Sequence, residues 1–131
     1  DAADTTQYER QAWFRKAEKQ MTKIRCTSLD HFTDENNIRP DYIKIDTEGS
    51  ESVIVNGAMQ LLKVNSPVII LEYLSAEREN TAHINALETL LGLGYRIHVI
   101  QENGTLETCP EPDVYLASMD RDSENLVLKR S

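Results

Sequence analysis

The sequence predicts an α/β fold: a mostly parallel sheet with helices beside it and an antiparallel β-hairpin at one edge. The strongest signal is an apolar run over residues 68–73, with Glu72 as its one charged residue, which begins five residues after a predicted helix over residues 51–63. A continuous run of this length is typical of a strand covered on both faces, as in parallel sheets. The predicted order of strand, helix, strand, helix, strand and a β-β return favours the same class.

Three elements are predicted in the first third of the chain. Residues 5–20 carry a loose apolar stripe that predicts a helix. Residues 23–28 are a candidate strand. A short helix is predicted over residues 30–37, with Ser28 or Asp30 as its N-cap.

The centre of the chain begins after Pro40 with a short predicted strand over residues 42–46. Residues 47–50 form a turn and lead into the helix over residues 51–63. Gly57 lies inside that helix, where glycine costs about 1 kcal/mol relative to alanine. We expect a close approach of the helix to the sheet to compensate for this cost.

The last third contains one predicted helix and three predicted strands. The helix begins after Asn80 or Thr81 and ends at Gly92 and Gly94, as helices commonly end at glycine. Asn103-Gly104 is the strongest turn signal in the chain. The strands cover residues 96–101, 113–118 and 126–128, the last of them as an edge strand.

Length and composition fit one ordinary domain. The chain has 131 residues, of which 40% are apolar and 27% charged. We expect a single domain over residues 1–131, with an N-terminal helix in residues 1–22, an α/β core in residues 23–118 and a C-terminal segment in residues 119–131. No apolar run approaches the ~18 residues of a membrane span, so no span is expected.

Charge and cysteine content restrict the expected partners and compartment. The net charge of -8 repels phosphate backbones, so nucleic acid is not an expected partner. Cys26 and Cys109 are far apart and form no CxxC motif. Two reduced thiols in a cytoplasmic protein are the expected interpretation.

Candidate chemistry lies in acidic residues at the ends of the two central strands. Asp46 closes the first strand and Glu72 lies near the end of the second, so both belong to one rim if the strands are adjacent and parallel. Glu48 and Glu51 extend this acidic group into the following turn and helix. Such a cluster can raise one carboxyl pKa to create a general base, or hold a hard divalent cation.

A purely structural interpretation of the same residues is also open. Acidic residues at a helix N-terminus are favoured by the helix dipole by up to about 1 kcal/mol, and Asp46 could simply cap the turn. The only GxG sequence, residues 92–94, follows a helix and precedes a strand, which is the wrong order for a nucleotide loop. The histidines show no metal-ligand spacing and are assigned ordinary surface or packing roles: His31, His83 and His98.

Four segments together resemble the FkbM-type methyltransferases, whose pattern runs roughly TLDxL, IKIDVEGxE, LxGA and PxxxxE. The matching segments cover residues 27–32, 41–51, 56–58 and 67–72, in the same order. Thr47 stands where valine is usual, and Asn56 stands where lysine or arginine is common.

This resemblance implies a class I, Rossmann-like fold that uses S-adenosylmethionine. In its seven-stranded sheet, residues 42–46 look like the fourth strand and residues 68–73 like the fifth. Residues 96–101 and 113–118 would be the sixth and seventh strands, as the antiparallel return. Known members methylate hydroxyl groups on sugars, lipids or natural products, so such an acceptor is the implied small-molecule, glycan or lipid partner.

One part of the family pattern does not occur in this sequence. The family has a glycine-rich loop of the form D-x-G-A-N-x-G after its first strand, and no such loop is found here. The resemblance therefore implies that the chain corresponds to the C-terminal half of the enzyme, with most cofactor contacts elsewhere.

The resemblance carries over Asp46, Glu48 and Glu72 as candidate catalytic residues. Asp46 would lie nearest the methyl donor and would also bind the cofactor, while Glu51 would support the site or cap the helix. No residue is assigned as a metal ligand.

Two other functions compete with methyl transfer. The chain could be a non-enzymatic α/β half-domain used for binding or assembly, since an unpaired edge at residues 42–46 invites homo-oligomerisation. A carboxylate-based metal hydrolase or phosphatase would rest on Asp46, Glu48 and Glu72 alone.

Overall fold

The structure, a computed structural model, describes residues 21–131. Strands and helices alternate through most of this part of the chain. The helices are α1 (Leu29–Glu35), α2 (Glu51–Asn56), α3 (Met59–Asn65), α4 (Thr81–Gly92) and α5 (Pro112–Ser118). The strands are β1 (Tyr42–Ile45), β2 (Val68–Leu74), β3 (Tyr95–Ile100), β4 (Leu106–Thr108) and β5 (Ser123–Arg130).

The five strands form one sheet in the order β1-β2-β5-β3-β4. Only β1 and β2 pair in parallel, whereas β5 is antiparallel to both of its neighbours and β4 is antiparallel to β3. The prediction of a mostly parallel sheet is therefore wrong. The physical reason is that β5 returns between β2 and β3, so these two strands never pair with each other.

Strand β5 is central, although residues 126–128 were expected at an edge. Leu126, Val127 and Leu128 are all buried, as is typical of a central strand. The register sets Leu128 beside Ile69 and Leu126 beside Leu71 on the neighbouring strand β2. The sheet core therefore depends on the segment after residue 119 as much as on the segments before it.

The predicted strand over residues 113–118 is helix α5 instead. Pro112 occupies the first turn, where its fixed φ suits a helix and its missing N–H costs nothing. Asp113 in the same turn is favoured by the helix dipole. The edge of the sheet is an antiparallel hairpin as predicted, but its second strand is the three-residue β4, which follows the turn at Gly104.

The remaining predictions differ in their outcomes. Helix α1 begins as expected after Ser28, whose Oγ accepts the His31 N–H at 3.1 Å. The segment 23–28 is not a strand. The expected helix over residues 5–20 lies outside the described residues.

The helix predicted over residues 51–63 is two helices, because it breaks at Gly57 between α2 and α3. A Cβ at Gly57 would lie 3.2 Å from the Cβ of Ser28. The close approach that this glycine permits is therefore to the segment before α1 and not to the sheet.

The core lies on one face of the sheet. Side chains that alternate along β2, β3 and β5 point to this face and pack against α2, α4 and α5. Its residues with no exposed surface include Val55, Ile69, Leu71, Ala86, Leu90, Leu126 and Leu128. Among the described residues, no helix has the length and apolar character that crossing a membrane requires.

Replacing Leu126 by alanine tests the central position of β5. We expect the substitution to lower the free energy of unfolding by about 3 kcal/mol, because it opens a cavity between two packed strands. Leu106→Ala in edge strand β4, where the side chain is 41% exposed, is the matched control and should cost less than about 1 kcal/mol. Urea unfolding measures both values, and equal costs would contradict the central placement.

Candidate functional site

The carboxyl ends of β1 and β2 bring three predicted site residues together. The strands are parallel with Ile45 beside Leu71, so the next residue of each strand, Asp46 and Glu72, stands at the same rim. Carboxylate oxygens of Asp46, Glu48 and Glu72 lie within 4.8 Å of one another. We call these three residues the acidic rim. Their proximity was predicted from sequence, while their chemical roles stay a prediction.

Lys44 gives the acidic rim an internal counter-charge. Its side chain lies on the same face of β1 as Asp46, two residues away, and its Nζ donates to Asp46 Oδ2 at 2.7 Å. This hydrogen bond is the main cause that lowers the pKa of Asp46, followed by a hydrogen bond with Glu72 and the charge of Lys44. Asp46 therefore remains an anion at neutral pH.

Glu72 has the opposite electrostatic environment. Burial raises the pKa of Glu72, and the hydrogen bond with Asp46 and the negative charges of Asp46 and Glu48 raise it further. Its Oε2 is buried and has no hydrogen-bond partner among the described residues. The pKa values of the two neighbouring carboxyl groups therefore shift in opposite directions, which is typical of acid–base sites.

Glu51 does not join the rim, because its carboxylate turns into the protein and is fully buried. Its Oε1 accepts from the Thr47 N–H at 3.1 Å and from the Thr47 hydroxyl at 3.0 Å, and its Oε2 accepts from the Gly49 N–H at 3.0 Å. Burial acts to raise the pKa of Glu51, but hydrogen bonds from backbone amides and from Thr47 outweigh it and lower the pKa. Glu51 therefore stays charged and holds residues 47–49.

The loop that Glu51 holds carries Glu48 in an unusual backbone conformation. Glu48 has φ +55° and Gly49 has φ +114°, so two successive residues adopt positive φ. Such a conformation costs a non-glycine residue of order 1 kcal/mol and persists where the surroundings fix it. The capping interpretation of Asp46 is not supported, because its hydrogen bonds in the described part are with the side chains of Lys44 and Glu72 rather than with a helix amide.

His83 lies near the site, whereas the sequence analysis gave it only an ordinary surface or packing role. It lies in the first turn of α4 and is only 1% exposed, with Nε2 3.5 Å from Glu51 Oε1. One signal could have indicated its burial, since His83 is in helical phase with Ala86, Leu87 and Leu90, which are all buried.

A cleft of about 730 Å³ opens beyond the carboxyl end of β2. Residues 75–77 form one wall, and Asp113 of α5 with Arg121 in the turn before β5 forms part of the other. The Tyr73 hydroxyl donates to Asp113 at 3.1 Å. Burial, together with the charge and hydrogen bond of Asp113, raises the pKa of Tyr73 to about 12. The phenol therefore stays a neutral donor that orients the Asp113 carboxylate.

The donor set of the acidic rim suits a positively charged ligand. Three carboxylates face one ammonium group, so the local charge stays negative. Oxygen ligands of this kind also suit a hard metal ion, and Lys44 binds only one of the two carboxylate oxygens of Asp46. The acidic rim therefore suits a positively charged ligand or a hydrogen-bond donor.

Replacing Glu72 by glutamine tests the raised pKa. The folded protein binds this proton more tightly than the unfolded chain, so stability falls as pH rises through the folded-state pKa of Glu72. We expect Glu72→Gln to raise the free energy of unfolding at pH 7 by about 1 kcal/mol, because the amide removes a buried charge beside Asp46.

The stability gain of Glu72→Gln should shrink as the pH falls, because Glu72 of the original protein then becomes protonated. This decrease should begin at a pH above the range in which an ordinary glutamate titrates. Denaturant unfolding between pH 4 and 8 measures it. Glu88→Gln, at an exposed position of α4, is the control and should change little. A loss of stability at pH 7 would contradict the assignment.

Comparison with known proteins identifies a family for this chain. The family model described as the methyltransferase FkbM domain matches residues 2–97. No curated protein and no solved structure matches the chain. The matched segment covers more than half of the 131 residues and includes both strands of the acidic rim. The chain therefore belongs to the FkbM methyltransferase domain family.

Proposed function

We propose that this methyltransferase domain moves a methyl group from S-adenosylmethionine to a hydroxyl group of a sugar, a lipid or a natural product. The observation that carries the proposal is the pair Asp46 and Glu72, which stands on adjacent parallel strands with opposed pKa shifts. Crevices at the carboxyl ends of strands are where open α/β sheets bind their ligands. Family membership supports the type of reaction.

The cofactor is compatible with the charge of the acidic rim. When bound, S-adenosylmethionine supplies an electrophilic methyl group on a positively charged sulfur. Asp46 and Glu48 would attract such a cation, and the Oε2 of Glu72, which has no partner within residues 21–131, can accept a hydrogen bond from a ligand. Asp46 is the residue that we assign to the cofactor as well as to catalysis.

The carboxylates would act on the proton of the acceptor hydroxyl. As the oxygen forms its bond to the methyl carbon and the bond from carbon to sulfur breaks, the hydroxyl proton must pass to a base. Glu72 is the better acceptor of the two carboxylates because its pKa is raised, while Asp46 stays anionic beside Lys44. Alignment of the acceptor oxygen with the methyl group supplies much of the rate.

The acceptor would enter from the cleft beyond β2. Ser75, a cleft residue directly after the end of β2, follows Glu72 by three residues, which is about 10 Å along an extended chain. Asp113, held by Tyr73, offers oxygens that accept hydrogen bonds from hydroxyl groups. A polyhydroxylated acceptor fits these groups, whereas an anionic acceptor would be repelled.

Isothermal titration with S-adenosylmethionine separates the enzyme from its non-enzymatic alternative, a half-domain for binding or assembly. The observation that favours the alternative is strand β1, which pairs only with β2 within residues 21–131. Binding heat from the full-length protein supports the methyltransferase. No binding, together with concentration-dependent dimerisation, would support assembly through this edge.

Replacing Asp46 by asparagine tests the catalytic assignment. We expect kcat to fall about 100-fold at saturating cofactor, because the variant loses the anion that pairs with Glu72 and faces the methyl donor. Transfer of a labelled methyl group to hydroxyl acceptors measures the rate in the full-length protein. Asp34→Asn, at an exposed position of α1, is the matched control. Unchanged turnover of Asp46→Asn would remove Asp46 from catalysis.

A further inference from the structure

His83 and Glu51 form a buried pair beneath the acidic rim. The side chains are 1% and 0% exposed, and His83 Nε2 lies 3.5 Å from Glu51 Oε1. A buried carboxylate is costly unless hydrogen bonds or a counter-charge compensate it. Within the described residues, His83 is the only basic side chain that lies within 4 Å of Glu51.

Nothing else in the described structure explains the polar ring of His83. Both ring nitrogens are buried, and neither has a hydrogen bond of acceptable geometry. Buried polar atoms without partners are rare in native proteins, and each calls for a physical reason. A small movement of the ring toward Glu51 would form the missing hydrogen bond, because 3.5 Å is at the limit of such contacts.

The carboxylates around His83 come from three different elements. Glu51 comes from α2, Asp46 from the end of β1 and Glu72 from β2. The hydrogen bond from Lys44 is the main cause that lowers the pKa of Asp46, and the nearby His83 acts weakly in the same direction. Burial is the main cause that raises the pKa of Glu72, and the nearby His83 acts weakly in the opposite direction.

We propose that His83 is a positioning residue: its imidazole holds the Glu51 carboxylate beneath residues 47–49 and thereby fixes Asp46 and Glu48 at the acidic rim. The mechanical link is short. Glu51 binds the amides of Thr47 and Gly49, and these residues flank Glu48 and directly follow Asp46. The link from His83 to these amides stands on geometry alone, and its catalytic consequence rests on the proposed function.

Amide hydrogen exchange at Thr47 and Gly49 tests the link without any substrate. In His83→Leu, we expect both amides to exchange at least tenfold faster relative to amides in β2, because Glu51 loses its anchor. In His83→Gln, which keeps an N–H donor, the acceleration should be smaller. The matched control is His31→Leu, because His31 and Glu35 form an exposed pair at the same 3.5 Å separation. It should leave both amides unchanged.

A double-mutant cycle keeps the test decisive if His83→Leu does not fold. If His83 acts through Glu51, His83→Gln should have no further effect on exchange in a Glu51→Gln background. Unchanged exchange at Thr47 and Gly49 in a folded His83→Leu, or independent additive effects in the cycle, would overturn the proposal.

Activity gives a second readout that can be separated from the first. If the proposed methyl transfer is correct, His83→Leu should lower kcat about tenfold with little change in KM, and His83→Gln should restore most of the loss. Accelerated exchange in a protein that shows no methyl transfer would support the positioning role and contradict the proposed function. Unchanged exchange in a His83→Leu variant, together with methyl transfer by the protein, would contradict the positioning role and support the proposed function.

Discussion

The parallel register of β1 and β2 is the constraint on which the candidate site depends. It sets Asp46 beside Glu72, so two carboxyl groups share one position at the end of the sheet. Two like charges at this distance are costly, and the pKa values of the two groups shift in opposite directions. Lys44 stabilises the charge on Asp46, while burial favours the protonated form of Glu72. A shift of one residue in this register would turn one of the two side chains to the other face of the sheet.

A second layer of polar contacts supports this pair from inside the protein. The fully buried Glu51 accepts hydrogen bonds from residues 47 and 49, and this fixes a loop in which Glu48 adopts positive φ. The hydrogen bonds that Glu51 accepts offset two costs: the positive φ of Glu48 and the burial of the Glu51 charge. Asp46 and Glu48 of the acidic rim and the supporting Glu51 lie within six consecutive residues, 46–51, whereas Glu72 comes from β2 and His83 from a distant helix.

Sequence reasoning predicted the local elements around the site well, because their signals are local. The strands β1 and β2, the turn between β1 and α2, and helix α4 follow from apolar runs, capping residues and glycines. The position of β5 could not be predicted in this way, since strand order depends on contacts between segments far apart in the chain. Helix α5 was missed because a short apolar segment after a proline fits strand and helix patterns equally. His83 was missed because only its phase with Ala86 and Leu90 indicates burial.

The insertion of β5 between β2 and β3 has a consequence for how the protein is made. During synthesis, β2 and β3 leave the ribosome well before the strand that joins them, because β5 follows every other strand in the chain. Until it arrives, each of them has an open edge with unpaired amides and an apolar face. Contacts between distant segments also slow folding. The nascent chain is therefore exposed to misassociation over this interval, and chaperones that shield strand edges would act on it there.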